Sequence, residues 1–198
     1  VYGDTEPDTS YASVIDRWGN MFSATPSDGD SAVVPSLGFT PSTRGTQSWL
    51  DRRHPSVIAP WKRPRLTPNA LLAFKDDKPY MVFGTPGGDA QLQATVQYFL
   101  NVAVFDMTPQ QAVEAPRFLI WSFPDSFWPH VYTPGRMELE GRFDAETGQE
   151  LERRGHNVEW LPLYAGRANN VCGISIEHAT GTLAAGADLR GEAYAIAR

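Results

Sequence analysis

The residues with most to offer chemically are two neighbouring glycines. Gly87 and Gly88 sit in the run Gly84-Thr85-Pro86-Gly87-Gly88-Asp89, between a predicted strand and a predicted helix. Glycines there let backbone N–H groups approach a ligand closely, at the positive end of a helix. Such a pair of donors stabilises the oxyanion of an acyl-transfer intermediate. A tight strand-to-helix turn calls for the same residues without any ligand, and both readings stand on this stretch alone. A phosphate loop is excluded, because the Lys and its spacing are missing. No G-x-S-x-G motif supplies a serine nucleophile, and His54, His130, His156 and His178 are scattered without metal-ligand spacing. A hydroxyl can instead be activated by its own α-amino group when it stands at a chain N-terminus. Thr9, in Asp8-Thr9-Ser10-Tyr11 at the start of the first predicted strand, is the candidate. That chemistry requires a cut between Asp8 and Thr9; without it Thr9 is an ordinary β-branched strand residue.

The elements that would position these groups are short. Ser10 to Asp16 and Met21 to Ala24 flank a Gly19-Asn20 turn and read as a hairpin. Leu71 to Phe74 with Tyr80 to Phe83, and Val171 to Ile176 with Leu183 to Ala187, repeat the pattern without repeating the sequence. A helix is predicted after Gly88 or Asp89, with Leu92, Val96, Leu100 and Val104 at helical spacing. Thr108-Pro109-Gln110-Gln111 reads as a capping box with Pro at the first helical position, and that helix must end near Pro116. A third helix runs from about Asp144 to Arg154 and stops at Gly155, ahead of a strand over Val158 to Leu161. Helices layered on antiparallel sheet make an α+β fold. Asp28 to Thr67, rich in Pro, Ser and Gly, is a long loop of the kind that usually carries function.

Composition narrows the classes further. The 198 residues carry 17 basic and 23 acidic side chains, a formal charge of −6. That is one domain with a real core, and an acidic surface disfavours nucleic acid as a partner. No apolar run approaches the roughly 20 residues a membrane span needs. A single Cys rules out a disulfide framework and a Cys-based zinc site. Nothing in the pattern asks for a metal or a cofactor. The chain starts at Val1, without an initiator Met or a signal segment, and this is read as a trimmed chain or a fragment.

The ordered set of motifs resembles the small subunit of the γ-glutamyltranspeptidase family. These are N-terminal-nucleophile hydrolases that cut themselves just before a Thr. The likeness runs from about Asp8 to Arg190. It is carried by Asp8-Thr9, Tyr11, Ser13-Val14-Ile15-Asp16 and Gly19-Asn20, then His54-Pro55, Ala59-Pro60 and Lys62-Arg63-Pro64. Phe74-Lys75-Asp76, Lys78-Pro79, Gly84 to Gly88, Asn101-Val102, Ala112-Val113, Ala115-Pro116-Arg117-Phe118, Leu151-Glu152, Arg154-Gly155-His156 and Gly186-Ala187-Asp188 with Arg190 continue in order. The resemblance implies one half of an αββα sandwich of mostly antiparallel sheets. It also implies a precursor that cleaves itself at Asp8-Thr9 and a large subunit from the same precursor as partner. Residues 1–8 would be a pre-cleavage tail and 9–198 the small subunit. Thr9 would be the nucleophile, Gly87 and Gly88 the oxyanion hole, and Ser27 the counterpart of a second Thr that supports the nucleophile.

Departures from the family bear on substrate. Gly29 stands where the γ-glutamyl enzymes have an Asn, Arg44 and Gln47 where they have a Gln and an Asp, and Leu66-Thr67 where they have Ser-Ser. Losing the Asp removes the charge that would pair with an α-ammonium. Arg44 instead suits an acyl group or product bearing a carboxylate, unless it is a solvated loop Arg. Arg44, Gln47, Thr67 and Asp89 are the expected substrate contacts. The Gly87 to Gln91 stretch looks closer to amide hydrolases and acylases than to true transpeptidases. The first expectation is therefore an N-terminal-Thr amide hydrolase or acylase acting on a small amide. The alternatives are a γ-glutamyl transferase or hydrolase acting on glutathione-like substrates, and a family member that never matures. Eight residues ahead of Thr9 would block its amine, which fits an uncut precursor, a cut elsewhere, or a sequence that joins the tail of the large subunit to the small one. Gly3-Asp4-Thr5 imitates the cleavage motif but lies four residues too far from Ser13-Val14-Ile15-Asp16. Phe118, Trp121, Phe123, Phe127 and Trp128 read either as an acyl-pocket wall or as core and subunit interface. Localisation, whether periplasmic, secreted or cytoplasmic, stays open because any signal would lie on the large subunit.

Overall fold

The computed structural model describes residues 9–27 and 32–197; the expected tail 1–8, Asp8 and Gly29 lie outside them. The elements are β1 (Ala12–Ile15), β2 (Met21–Ala24), β3 (Ala70–Lys75), β4 (Lys78–Gly84), α1 (Ala90–Ala103) and α2 (Pro109–Glu114), followed by β5 (Phe118–Ile120), β6 (Arg136–Glu140), α3 (Ala145–Arg153), β7 (Asn157–Leu161), β8 (Cys172–Glu177) and β9 (Thr182–Ala187). All three hairpins and all three helices form where turn chemistry and periodicity place them. The β3–β4 turn carries Asp76 at φ 51° and Asp77 at φ 59°, the paired left-handed residues of a tight hairpin turn. Both halves of the Thr108–Gln111 capping box are present.

Strands β3-β4-β8-β9 make a four-stranded antiparallel sheet. Side chains alternate across it. Met81 and Phe83 of β4 meet Ala94, Tyr98 and Val102 of α1 and Ala112 and Val113 of α2, forming the main core. Phe83 pairs in register with Gly173, which pairs with Gly186. A Cβ at either glycine would run into α1's Tyr98 or α2's Pro109. The two glycines therefore let both helices lie close on this face. Gly84 points the other way, and Tyr11 at the head of β1 lies directly on it. The β1–β2 ribbon covers that second face, so the order is ribbon, sheet, helices, one half of the expected sandwich.

Strands β5-β6-β7 form a separate sheet, with β6 and β7 parallel across α3 rather than antiparallel. Two glutamines of α1 grip its edge. Gln93 Nε2 donates to Ile120 O at 3.1 Å, and Gln93 Oε1 accepts from Ile120 N at 2.7 Å. Gln97 does the same for Phe118 at 2.9 and 3.1 Å. Their carboxamides satisfy backbone groups that would otherwise be a bare edge.

Four charged side chains lock the two sheets together, all almost wholly buried. Arg190 grips Glu140 with two bonds of 2.6 Å and reaches Asp188 at 2.9 Å, while Arg117 meets Asp188 at 2.5 Å. Burial pushes Arg117 down to about 10, which Asp188 opposes, so it stays charged at neutral pH. Burial works to raise Glu140, but hydrogen bonds from Arg190 and from the N–H groups of Ala165 and Arg117 outweigh it and hold the carboxyl below its usual range. The two buried cations balance the two buried anions, and the partly exposed Arg142 adds a third cation on Glu140 from the rim at 3.0 Å, which makes the burial tolerable. Among the described residues no helix is long and apolar enough to cross a membrane.

Candidate functional site

The start of β1 is fixed from three sides. Ser10 N donates to Pro26 O at 2.9 Å, and Thr9 bridges antiparallel to Ser27. This pairing sets Thr9 Oγ1 2.6 Å from Ser27 Oγ. Tyr11 hydrogen-bonds Ser23 at 2.9 Å while its ring rests on Gly84. Burial pushes the Tyr11 hydroxyl up, so it remains a neutral anchor. Because Gly84 opens the Gly84 to Asp89 turn, the same contact ties Thr9's strand to the glycine loop.

Thr9, Pro86, Gly87, Ala90, Trp121, Arg167 and Asn169 line one cavity of about 1200 Å³. Gly87 has φ 112° and Gly88 φ 56°, both in the region where a side chain is strained. A Cβ on Gly87 would collide with the Asn169 carboxamide. Thr9 and Gly87 thus face one space, while Gly88 is not among the residues lining it. Cys172 lines it too, but burial pushes its thiol up, and a protonated thiol is a poor nucleophile.

Gly88 faces a different wall. Phe127 lies 3.7 Å from where a Gly88 Cβ would stand. The Arg44 guanidinium sits 5.3 Å from the centroid of the same ring, so Arg44 and Gly88 both approach Phe127. Arg44 belongs to a short 3₁₀ turn, Thr43–Gln47, in which Ser42 Oγ accepts from Arg44 N at 3.2 Å. Its guanidinium also donates to Thr43 Oγ1 at 3.0 Å. Asp89 holds the aromatic loop down: it accepts from Ser126 N at 2.6 Å, from Ser126 Oγ, and from Arg65 at 3.4 Å. Three donors thus occupy this carboxylate, whose side chain is only 7% exposed. Gln47 is fully buried; it donates to Thr67 Oγ1 at 2.7 Å and accepts from Thr67 N at 3.3 Å. The structure thus joins Thr9 with Ser27, Gln47 with Thr67, and Arg44 with Gly88 through Phe127.

The aromatic run divides. Trp121 lines the cavity, Phe127 underlies Arg44, and Trp128 is exposed. His54 and His130 both stack against Trp49 of the long loop, with ring centroids 3.8 and 4.0 Å apart. Asn169 escaped sequence reading. Its backbone, at φ 66°, is left-handed, and its side chain donates to Gly87 O at 3.4 Å. With ψ at 163° the backbone lies outside the αL well that Asn tolerates, so its residue type gave no local signal of this position.

The family model described as gamma-glutamyltranspeptidase matches residues 2–198. A glutathione hydrolase-like proenzyme, YwrD, of Bacillus subtilis (strain 168) is 32% identical over 96% of this chain and 35% of its own. An oxamate amidohydrolase proenzyme of Klebsiella pneumoniae is 30% identical over 92% of this chain and 34% of its own. The solved structure of LmbA2991HD superposes with a TM-score of 0.86 at 40% identity, covering 95% of this chain and 34% of that one. The chain therefore spans about a third of the length of the curated relatives it matches.

Proposed function

Because the chain belongs to the gamma-glutamyltranspeptidase family, we propose that it carries the nucleophile of an amide hydrolase or acylase that works through an acyl-enzyme. The observation that supports this most is that the Thr9 and Gly87 residues line one cavity, with Ser27 Oγ 2.6 Å from the Thr9 hydroxyl. Cleavage between Asp8 and Thr9 would convert the Thr9 peptide nitrogen into a free amine. That amine takes the hydroxyl proton as Oγ1 attacks the substrate carbonyl. The oxyanion forms against the N–H groups of Gly87 and Gly88; Pro86, without an N–H, contributes none. Collapse of the intermediate breaks the C–N bond, with the proton passing to the leaving amine. Water then attacks the acyl ester under the same base and frees Thr9. Ser27 keeps the Thr9 hydroxyl in one rotamer throughout.

The substrate we propose is a small amide whose acyl part bears a carboxylate. Arg44 supplies the charge, and Gln47, buried against Thr67 where the γ-glutamyl enzymes have an Asp, leaves no anion there for an α-ammonium. The Klebsiella relative is named for oxamate, an amide of this kind. A second reading, hydrolysis of glutathione-like γ-glutamyl amides, draws on the Bacillus relative's name. The partner is the large subunit of the same precursor. Leu92, Val96, Leu100 and Val104 form an exposed stripe on α1, between 40% and 62% accessible, that such a partner would cover. Ammonia release from oxamate against amine release from γ-glutamyl-p-nitroanilide separates the two readings. Faster turnover of oxamate is expected; turnover of the γ-glutamyl amide alone, whose acyl part carries an α-ammonium beside its carboxylate, would overturn the reading of an acyl group without an ammonium.

A further inference from the structure

A residue far along the chain meets the glycine loop. Asn169 is 5% exposed and presses its carboxamide against Gly87, with Nδ2 donating to Gly87 O at 3.4 Å. The Gly87–Gly88 peptide is trans, since the described cis bond is Trp128–Pro129. In a trans peptide the carbonyl and the following N–H point in opposite directions. Fixing Gly87 O therefore fixes the direction of Gly88 N–H, one of the two donors available to an oxyanion. A hydrogen bond to the carbonyl also polarises that N–H and strengthens it as a donor.

Asn169 is itself held rigidly. Its backbone is left-handed, its N–H donates to Gly166 O at 3.0 Å, and its carbonyl accepts from Arg117 Nη1 at 2.7 Å. Arg117 is the buried cation anchored by Asp188. A chain of contacts thus runs from the charge cluster, through Arg117 and Asn169, to the Gly87–Gly88 peptide. We propose that Asn169 is a positioning residue for the oxyanion donors, acting through the Gly87 carbonyl and touching no reacting atom. This rests on the Thr9 reading above.

The test uses the two-subunit enzyme, with the small chain freed at Thr9 by a removable tag, so that self-cleavage is not required. Asn169→Gly keeps the left-handed backbone and its carbonyl but loses the donor. Asn169→Asp keeps size and conformation but sets a carboxylate against the Gly87 oxygen. With oxamate as substrate, kcat is expected to fall roughly 10- to 100-fold in Asn169→Gly and further in Asn169→Asp, with KM within about threefold. A merely structural role would not separate kcat from KM in this way. Thr9→Ala is the companion control. If Thr9→Ala still turns over, the Thr9 reading fails, and this inference with it. If Thr9→Ala is dead while both Asn169 variants keep kcat within about twofold, or lose only KM, the inference alone is overturned. If neither Asn169 variant folds, Asn169 is a folding residue and the inference is likewise overturned.

Discussion

Replacing Arg190 by Met removes the hub of the buried charge cluster at nearly constant volume. The guanidinium makes two bonds of 2.6 Å to Glu140 and one of 2.9 Å to Asp188, and it also serves the carbonyls of Val113 and Ala115 at 2.6 and 2.8 Å. Breaking a buried pair from one side costs about 3–5 kcal/mol, because the abandoned charge stays buried. Here the carboxylates are not wholly abandoned. Glu140 keeps Arg142 at 3.0 Å and two backbone donors, and Asp188 keeps Arg117 at 2.5 Å and Val171 N at 3.0 Å. The expected loss is therefore at the lower end, about 3 kcal/mol, a large share of the 5–15 kcal/mol typical of a folded domain. Urea unfolding of the intact protein at pH 7 reads it as a lower midpoint. The pH dependence provides a second check. Glu140 is held below its usual range in the folded protein, so its contribution is complete above the unfolded value of about 4.3 and is lost as pH falls below it. The gap between Arg190→Met and the parent should shrink on going from pH 7 to pH 3. A loss under about 1 kcal/mol at pH 7, or a gap unchanged at pH 3, would refute this reasoning.

Two further outcomes are expected. Arg44→Gln should raise KM for oxamate by about 10- to 100-fold, the worth of a charge-assisted contact, and leave neutral amides within about twofold; steady-state kinetics on both substrate types measures the split. Gly87→Ala, which drives a Cβ into Asn169 from a backbone at φ 112°, should cut kcat by about 100-fold or more with the fold retained, checked by kinetics beside circular dichroism.

Local chemistry was legible; long-range pairing was not. The hairpins announce themselves by turn residues, and α2 by Thr108 and Pro109, because each signal lies within a few residues of what it controls. Strand β6 reads Arg-Met-Glu-Leu-Glu, as if its acidic face were solvated. Glu138 and Glu140 are in fact buried, since Arg136 and Arg167 serve the first and Arg142 and Arg190 the second. Alternation cannot reveal a charge whose partner arrives from another element. Likewise, Thr9 and Gly87-Gly88 were each visible as local motifs. The carboxamide that meets Gly87 lies 82 residues away in a loop of unremarkable composition. Gln47 and Thr67 were both expected at the substrate; in the structure Gln47 is buried and they bind each other across 20 residues, and neither is among the residues lining the Thr9 cavity.

Everything proposed for the reaction depends on a free amine at Thr9. N-terminal sequencing of the small chain from catalytically active protein tests that most directly. The expected result is Thr9 as first residue, with Thr9→Ala left uncut. Active protein with no chain beginning at Thr9 would contradict the mechanism.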